Sequence, residues 1–131
     1  MLTFDEYQKS VIVTKVYDDN INKFIESLNI PEEENRLRLK KFLCYIYATL
    51  GLVGEAGEVA EKLKKILRDG NFEIGEAEKQ DLLRELGDVQ WYVVDSADEL
   101  GSSGEEVARM NIDKLKSRKE RGVLQGSGDN R

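Results

Sequence analysis

A single proline in 131 residues is the feature that most restricts the fold of this chain. Proline ends or kinks a helix, so a chain whose only proline is Pro31 can sustain long uninterrupted helices. Apolar residues between Leu82 and Leu100 recur at helical spacing, and no segment alternates in the way a strand does. The sequence therefore predicts an all-α protein, with four main helices bundled in one domain that spans residues 1–131.

Local signals predict where these helices begin and end. Thr3 and Glu6 form a capping-box pattern, Pro31 predicts a break, and Gly70 is a natural C-terminal cap. The end of the chain, residues 119–131, is expected to be a flexible tail. The expected helices cover residues 3 to 28 with a break or bend at 18–20, the segment after Lys41 to Leu67, residues 76 to 100, and residues 105 to 118.

Charge and composition exclude several classes of function. The formal net charge is −6, which argues against nonspecific binding to a nucleic acid polymer or to a membrane. The absence of histidine removes histidine-based zinc sites and Ser-His-Asp triads. Cys44 is the only cysteine, and we expect it to pack inside a protein kept in the reducing cytoplasm. We also expect no signal peptide and no apolar run that approaches membrane-spanning length.

Two pairs of acidic residues are the candidates for chemistry. Glu55 and Glu58 lie on the second long helix, and Glu85 and Asp88 lie on the third. Three-residue spacing brings two side chains to one helix face, so pairs on facing helices can converge on one point. Carboxylates gathered in this way repel each other unless protons or a cation neutralise them, and Mg²⁺ prefers oxygen ligands. Helical phase places both pairs at the rim of an apolar stripe, where a metal would be open to substrate.

Spacing alone does not distinguish these pairs from ordinary solvated helix faces, because the chain has 26 acidic residues. The glycines beside them favour a site. Gly54, Gly57 and Gly87 each cost about 1 kcal/mol relative to alanine inside a helix. They suggest close approach of a neighbouring helix or of a ligand, although close helix packing alone would also explain them.

The segments around the two pairs resemble a known family. Leu50 to Lys62 and Glu85 to Tyr92, with 26 residues between Glu58 and Glu85, are similar to the E-x-x-E and E-x-x-D signature of the MazG-like all-α nucleoside triphosphate pyrophosphohydrolases. The resemblance covers about Leu50 to Arg118. Some relatives carry a further acidic residue where this chain has Gly54, so the number of metal ions stays open.

The resemblance implies an enzyme that cleaves nucleoside triphosphates between the α and β phosphates, releasing a nucleoside monophosphate and pyrophosphate. It implies that Glu55, Glu58, Glu85 and Asp88 bind Mg²⁺, for which Mn²⁺ is an expected substitute. One glutamate would assist the attacking water. We assign that role to Glu55, with metal ligation alone as the alternative. The resemblance also implies a homodimer or homotetramer, which would complete the bundle and cover apolar helix surface.

The fourth predicted helix carries candidate phosphate-binding residues. Asn111, Lys114 and Arg118 lie at i, i+3 and i+7 on one face. An amide and two cations suit a triphosphate, and similar family members have an Asn-x-x-Lys pattern there. An ordinary solvated face is the alternative.

Candidate base-binding residues follow the second acidic pair. Tyr92 lies one turn after Asp88 and points the same way, and Trp91 precedes it. Either ring could stack on a nucleobase, with a core position as the alternative. In the tail, Ser127 and Gly128 resemble a Gly-Ser-Gly-Asp ending of some relatives and could close over phosphates.

Three other classes of function remain open from the sequence. One is a non-catalytic nucleotide- or metal-binding helical module, and another is a plain helical scaffold. The third is a di-iron carboxylate bundle, which normally needs Glu-x-x-His elements and is therefore disfavoured in a chain without histidine.

Overall fold

The computed structural model describes residues 1–70 and 72–125 of the chain. This part of the chain contains five helices and no strand, which confirms the predicted all-α class. The helices are α1 (Phe4–Val13), α2 (Asp18–Ser27), α3 (Glu33–Asp69), α4 (Glu76–Glu99) and α5 (Gly104–Glu120).

The N-terminal helix begins as predicted but ends earlier. The Thr3 hydroxyl accepts from the Glu6 amide at 3.2 Å, and the Glu6 carboxylate accepts from the Thr3 amide at 2.8 Å, which confirms the capping box. The predicted break at 18–20 is wrong, because the chain leaves the helix at residues 14–17. Asp18 and Asp19 instead form the first turn of α2, where negative charge is favourable for a helix.

The longest helix, α3, also begins earlier than predicted. The charged segment before Lys41 is helical from Glu33 onwards. Acidic residues occupy its first turn, and Arg38 pairs with Glu34 one turn away at 2.8 Å, so charge supports the helix here. Pro31 lies in the break between α2 and α3, and Gly70 is the C-cap, as predicted.

The last helix, α5, extends two residues beyond the predicted end, to Glu120. It begins after Ser103, whose hydroxyl accepts from the Glu106 amide at 3.1 Å. Gly122 has a positive φ of 70°, which turns the chain after the helix. The predicted lid residues Ser127 and Gly128 lie outside the described residues.

An antiparallel pair of long helices, α3 and α4, is the framework of the fold. At 37 and 24 residues, they extend about 55 Å and about 36 Å. Their mutual contact is the most extensive in the molecule; α2 packs on α3, while α1 and α5 pack on α4. The buried apolar side chains come from α1 to α4 and from the connection between α1 and α2: Val11, Tyr17, Ile25, Cys44, Ala48, Val94 and Ala97. Cys44 is therefore a packed residue, as predicted.

Exposed apolar side chains are abundant and outnumber the buried ones. By length and composition alone α3 would suffice to cross a membrane, since an 18-residue window within it has a mean hydropathy of 1.2. The expectation that no segment approaches that length is wrong on this criterion. One such helix is weak evidence of a membrane span. Only 11% of that window is buried, and α3 packs along one side against α4.

Candidate active site

Three of the four predicted carboxylates converge between α3 and α4. Glu55, Glu85 and Asp88 each offer an oxygen atom, and these atoms all lie within 4.8 Å of one another. Glu55 and Glu85 are half-buried, whereas Asp88 is exposed. An all-oxygen set of this size, partly open to solvent, suits a hard divalent cation.

The fourth predicted ligand, Glu58, lies outside this trio. Its side chain is exposed, one turn further along α3 than Glu55. Its negative charge still acts on the site, because it contributes to raising the pKa of Glu55. The helices thus bring Glu55, Glu85 and Asp88 together and leave Glu58 at the margin.

Electrostatics show that the trio holds more negative charge than its surroundings neutralise. Burial, followed by the charges of Asp88, Glu85 and Glu58, raises the pKa of Glu55 above its ordinary value. One cation lies within reach, since the Lys62 Nζ is 3.1 Å from a Glu85 carboxylate oxygen. A bound divalent cation would relieve the remaining repulsion, so the residues fit a metal site.

A cavity of about 310 Å³ links two carboxylates of the trio, Glu55 and Asp88, to a group of aromatic rings. Its volume is within the range of small-molecule binding sites. Carboxylate and aromatic side chains therefore face one space. The lining residues are Thr14, Val16, Tyr17, Tyr47, Glu55, Asp88, Trp91 and Tyr92.

The aromatic rings of this cavity form a connected wall. Tyr17 and Tyr47 have ring centroids 4.1 Å apart with planes tilted by 30°, and Trp91 meets Tyr92 edge-on at 4.8 Å. The Trp91 indole N–H donates to the Thr14 hydroxyl at 2.9 Å. Burial, the neighbouring Tyr47 hydroxyl and the negative charges of Glu55 and Asp95 raise the pKa of Tyr92 to about 12. The Tyr92 hydroxyl is therefore neutral at physiological pH.

Glycine permits the close contact between α3 and α4 at this site, but at a different position from those predicted. A Cβ on Gly51 would lie 2.1 Å from the Tyr92 ring, so only glycine leaves room for that ring. Around Gly54, Gly57 and Gly87 a Cβ would meet no described atom within 4 Å. The interpretation of those three glycines as points of close helix packing is therefore wrong within the described part of the chain, while close approach of a ligand stays a prediction.

Comparison with known proteins identifies the family. The model of the MazG nucleotide pyrophosphohydrolase domain matches residues 47–123, more than half of the chain. This chain is a member of that family. The Gene 37 protein of Mycobacterium phage L5 is 56% identical over 85 residues, which cover 65% of this chain and 75% of the relative. No solved structure matches.

Family membership agrees with the geometry of the trio. MazG proteins depend on divalent metal ions and act on nucleotides, and the only carboxylate-only cluster found in residues 1–70 and 72–125 is Glu55, Glu85 and Asp88. The matched segment begins at Tyr47 and thus includes the trio, Tyr92 and Trp91, while Thr14, Val16 and Tyr17 precede it.

The predicted phosphate-binding residues of this MazG protein lie elsewhere in the fold. Asn111 and Lys114 line a separate groove between α4 and α5, next to Leu86 and Val89. Arg118 is buried, with 6% of its surface exposed. None of these three residues lines the cavity that contains Glu55. Their role in binding phosphate stays a prediction.

Four cavity residues were not predicted from the sequence. Tyr47 lies two turns before Glu55 on the same face of α3, with Gly51 between them, so helical phase alone would have found it. Thr14, Val16 and Tyr17 come from the connection between α1 and α2. No local pattern indicates their position, because it depends on how that connection crosses α4.

We predict that Gly51→Ala disrupts this site while Gly54→Ala does not. The added methyl group at Gly51 would force the Tyr92 ring to move, and such overpacking costs about 1–3 kcal/mol. At Gly54 the methyl group has space, so the better helix propensity of alanine should stabilise the protein by up to about 1 kcal/mol. Urea unfolding of both variants measures these changes, and equal effects of the same sign would contradict the packing argument.

Proposed function

We propose that this MazG protein hydrolyses nucleoside triphosphates between the α and β phosphates, with Mg²⁺ as its ion. The observation that supports this most is the single cavity that contains both the carboxylates Glu55 and Asp88 and the aromatic wall. Carboxylates that hold a metal recognise phosphates, and aromatic faces recognise bases. A nucleotide needs both within one site.

Glu55, Glu85 and Asp88 would hold the ion, and Glu58 is a further candidate ligand from α3. When bound, the ion supplies Lewis-acid charge stabilisation for the phosphates and lowers the pKa of coordinated water. Oxygen-only ligands favour Mg²⁺, with Mn²⁺ as a substitute. Lys62, which pairs with Glu85, is close enough to the trio to turn towards a bound phosphate.

Glu55 is the candidate proton acceptor of this reaction. Its carboxylate belongs to the trio and lines the cavity, so it is placed to accept a proton from a water molecule held there. The water oxygen bonds to one of the two phosphorus atoms, and the bond between that phosphorus and the α–β bridging oxygen breaks. The proton of the water passes to Glu55. The products are a nucleoside monophosphate and pyrophosphate, which together contain the atoms of the triphosphate and one water molecule.

Tyr92 and Trp91 are the candidate residues for binding the base. Stacking on such rings contributes about 1–3 kcal/mol per base. Tyr47, whose ring is 6.5 Å from that of Tyr92, extends the same wall. Asn111, Lys114 and Arg118 remain candidates for phosphate contacts, and the test below includes one of them.

The decisive experiment incubates the protein with a panel of ribo- and deoxynucleoside triphosphates and Mg²⁺, and separates the products by ion exchange. We expect monophosphate and pyrophosphate. Glu55→Gln and Asp88→Asn should lower kcat by at least about 100-fold, since even changes next to metal ligands cost about 10–100-fold. Lys114→Met reports on the predicted phosphate contact. Glu61→Gln, at a partly exposed position of α3 paired with Lys65, is the matched control.

The products also separate this proposal from its alternatives. Diphosphate and free phosphate would place cleavage at another bond and contradict the proposal. Absence of turnover with every nucleotide at saturating metal, together with tight nucleotide binding by calorimetry, would identify a non-catalytic binding module. Glu58→Gln tests the ligand set, because a variant with wild-type metal dependence would restrict it to the trio.

Stability should depend on pH and metal through Glu55. Because its pKa is raised in the folded state, the metal-free protein holds this proton more tightly than the unfolded chain does. The free energy of unfolding should therefore be higher at low pH and fall as pH rises through the pKa of Glu55. Mg²⁺ at a hundredfold excess over its Kd should restore about 2.7 kcal/mol.

Thermal unfolding with EDTA or Mg²⁺ measures both effects. Glu55→Gln should raise the Tm of the metal-free protein at neutral pH and abolish the increase with Mg²⁺. Glu61→Gln should do neither, because neighbouring lysines lower the pKa of Glu61. A Mg²⁺-induced increase in Tm that persists in Glu55→Gln would place the ion elsewhere.

We also propose that the protein forms a homodimer or homotetramer, the oligomeric states that the resemblance to the MazG-like family implies. A groove of about 830 Å³ between α4 and α5 has a mostly apolar lining, and Met110 on its rim is 66% exposed. Apolar patches of this kind mark protein interfaces. Sedimentation velocity should show an oligomer that Met110→Glu dissociates and that Ser117→Glu, an exposed position of α5, leaves intact. A monomeric wild-type protein would contradict this.

A further inference from the structure

A buried cluster of charges holds the connection between α1 and α2 against α4. The Lys15 Nζ lies 2.8 Å from Asp95, 2.8 Å from Asp98 and 2.7 Å from Glu99. Only 7% of the Lys15 side chain is exposed, and Asp95 is fully buried. Burial alone would lower the pKa of Lys15, but the three carboxylates raise it, so this lysine stays charged.

The same cluster holds one aromatic ring in the cavity that contains Glu55 and Asp88. The Tyr17 hydroxyl donates to Glu99 at 2.9 Å and contacts both Asp95 carboxylate oxygens at 3.1 Å. Tyr17 therefore reaches the cluster through its hydroxyl and packs on Tyr47 with its ring. The cavity lining and the buried cluster share this one side chain.

Each residue of the connection has a role in this arrangement. Thr14 accepts from Trp91, Lys15 enters the cluster, and Tyr17 joins the cluster to the wall. Val16 is 80% exposed and lines the cavity. The connection precedes residue 47, where the family match begins, so this part of the wall lies outside the matched segment.

Stability does not explain such a cluster well. Three carboxylates surround one lysine, and a buried ion pair commonly adds little stability relative to apolar residues of the same size. What the cluster does provide is a fixed position, because Lys15 has three partners on one face of α4. A fixed wall favours ligand binding, since less conformational freedom is lost when the base stacks.

We propose that Lys15 is a positioning residue for nucleotide binding, which fixes Thr14, Val16 and Tyr17 as one wall of the base site. The proposal rests on the proposed function. It assigns base binding partly to the segment before residue 47, whereas the phosphates belong to the carboxylate trio.

The test compares steady-state kinetics of Lys15→Met, Lys15→Arg and Lys9→Met on the best nucleotide of the panel. Lys15→Met should raise KM about tenfold, a loss within the range of base stacking, and leave kcat within twofold. Lys15→Arg keeps the charge and should restore most of the affinity. Lys9→Met removes an exposed lysine of α1 that pairs only with Asp5 among the ion pairs of the described chain, and is the matched control.

Two readouts separate positioning from general damage to the fold. Loss of folded protein would lower kcat in proportion and leave KM unchanged, which would overturn the proposal. The inhibition constant of inorganic triphosphate, which has no base, should change less than twofold in Lys15→Met. A parallel rise in that constant and in KM would show that the cluster acts on the carboxylates instead and would overturn the proposal.

Tyr17→Phe, which keeps the ring, decides the question if Lys15→Met does not fold. A raised KM supports the proposal, and an unchanged KM overturns it.

Failure of the proposed function remains distinguishable. If the wild-type protein turns over no nucleotide, equilibrium binding of an α,β-methylene nucleoside triphosphate is measured through the fluorescence of Trp91, the single tryptophan of the chain. About tenfold weaker binding by Lys15→Met would support the positioning role. Equal dissociation constants, or no binding by the wild-type protein, would overturn it.

Discussion

The contact between Gly51 and the Tyr92 ring sets how closely α3 and α4 can approach, and the rest of the site depends on that distance. One turn from this contact, Glu55 on α3 faces Asp88 on α4. Helices held further apart would leave these carboxylates as separate solvated groups. Because the ring of Tyr92 occupies the space that a Cβ at Gly51 would need, the same contact also places an aromatic face beside the acidic trio.

Close approach brings an electrostatic cost. Burial, and then the like charges on the two helices, disfavour the ionised form of Glu55 and raise its pKa. A helix pair selected for stability alone would not concentrate carboxylates at its interface. The arrangement becomes favourable when a divalent cation is bound, so the charge pattern and the proposed chemistry have one explanation. In the absence of the ion, Lys62 neutralises part of the negative charge of the trio.

Sequence reasoning succeeded where information is local. Proline content, apolar periodicity and the capping box at Thr3 predicted the helices. Helical phase put both acidic pairs at the rim of the apolar stripes, and the structure brings Glu55, Glu85 and Asp88 of these four residues together. Sequence reasoning failed where the answer depends on neighbours in space. The chain leaves the helix after Val13 because Asp18 and Asp19 begin a new helix, α2. Gly51 could not be distinguished from Gly54, Gly57 and Gly87 as the point of close contact without knowing that the Tyr92 ring faces it. Tyr17 and Lys15 had no local signal at all, because their partners lie about 80 residues further along the chain.

The position of the core has a consequence for local motion. In the described chain the buried side chains of α3 and α4 lie towards one end of the helix pair, at residues 44–48 and 94–97, while the trio lies about two turns further along. Protection of backbone amides from exchange with solvent should therefore decline along α3 from Cys44 towards Asp69. The end of the pair that carries the trio would open more often than the whole molecule unfolds. A nucleotide bound as proposed would contact both helices where the free energy of local opening is lowest. Its binding would therefore order the end of α3 and α4 that carries the trio.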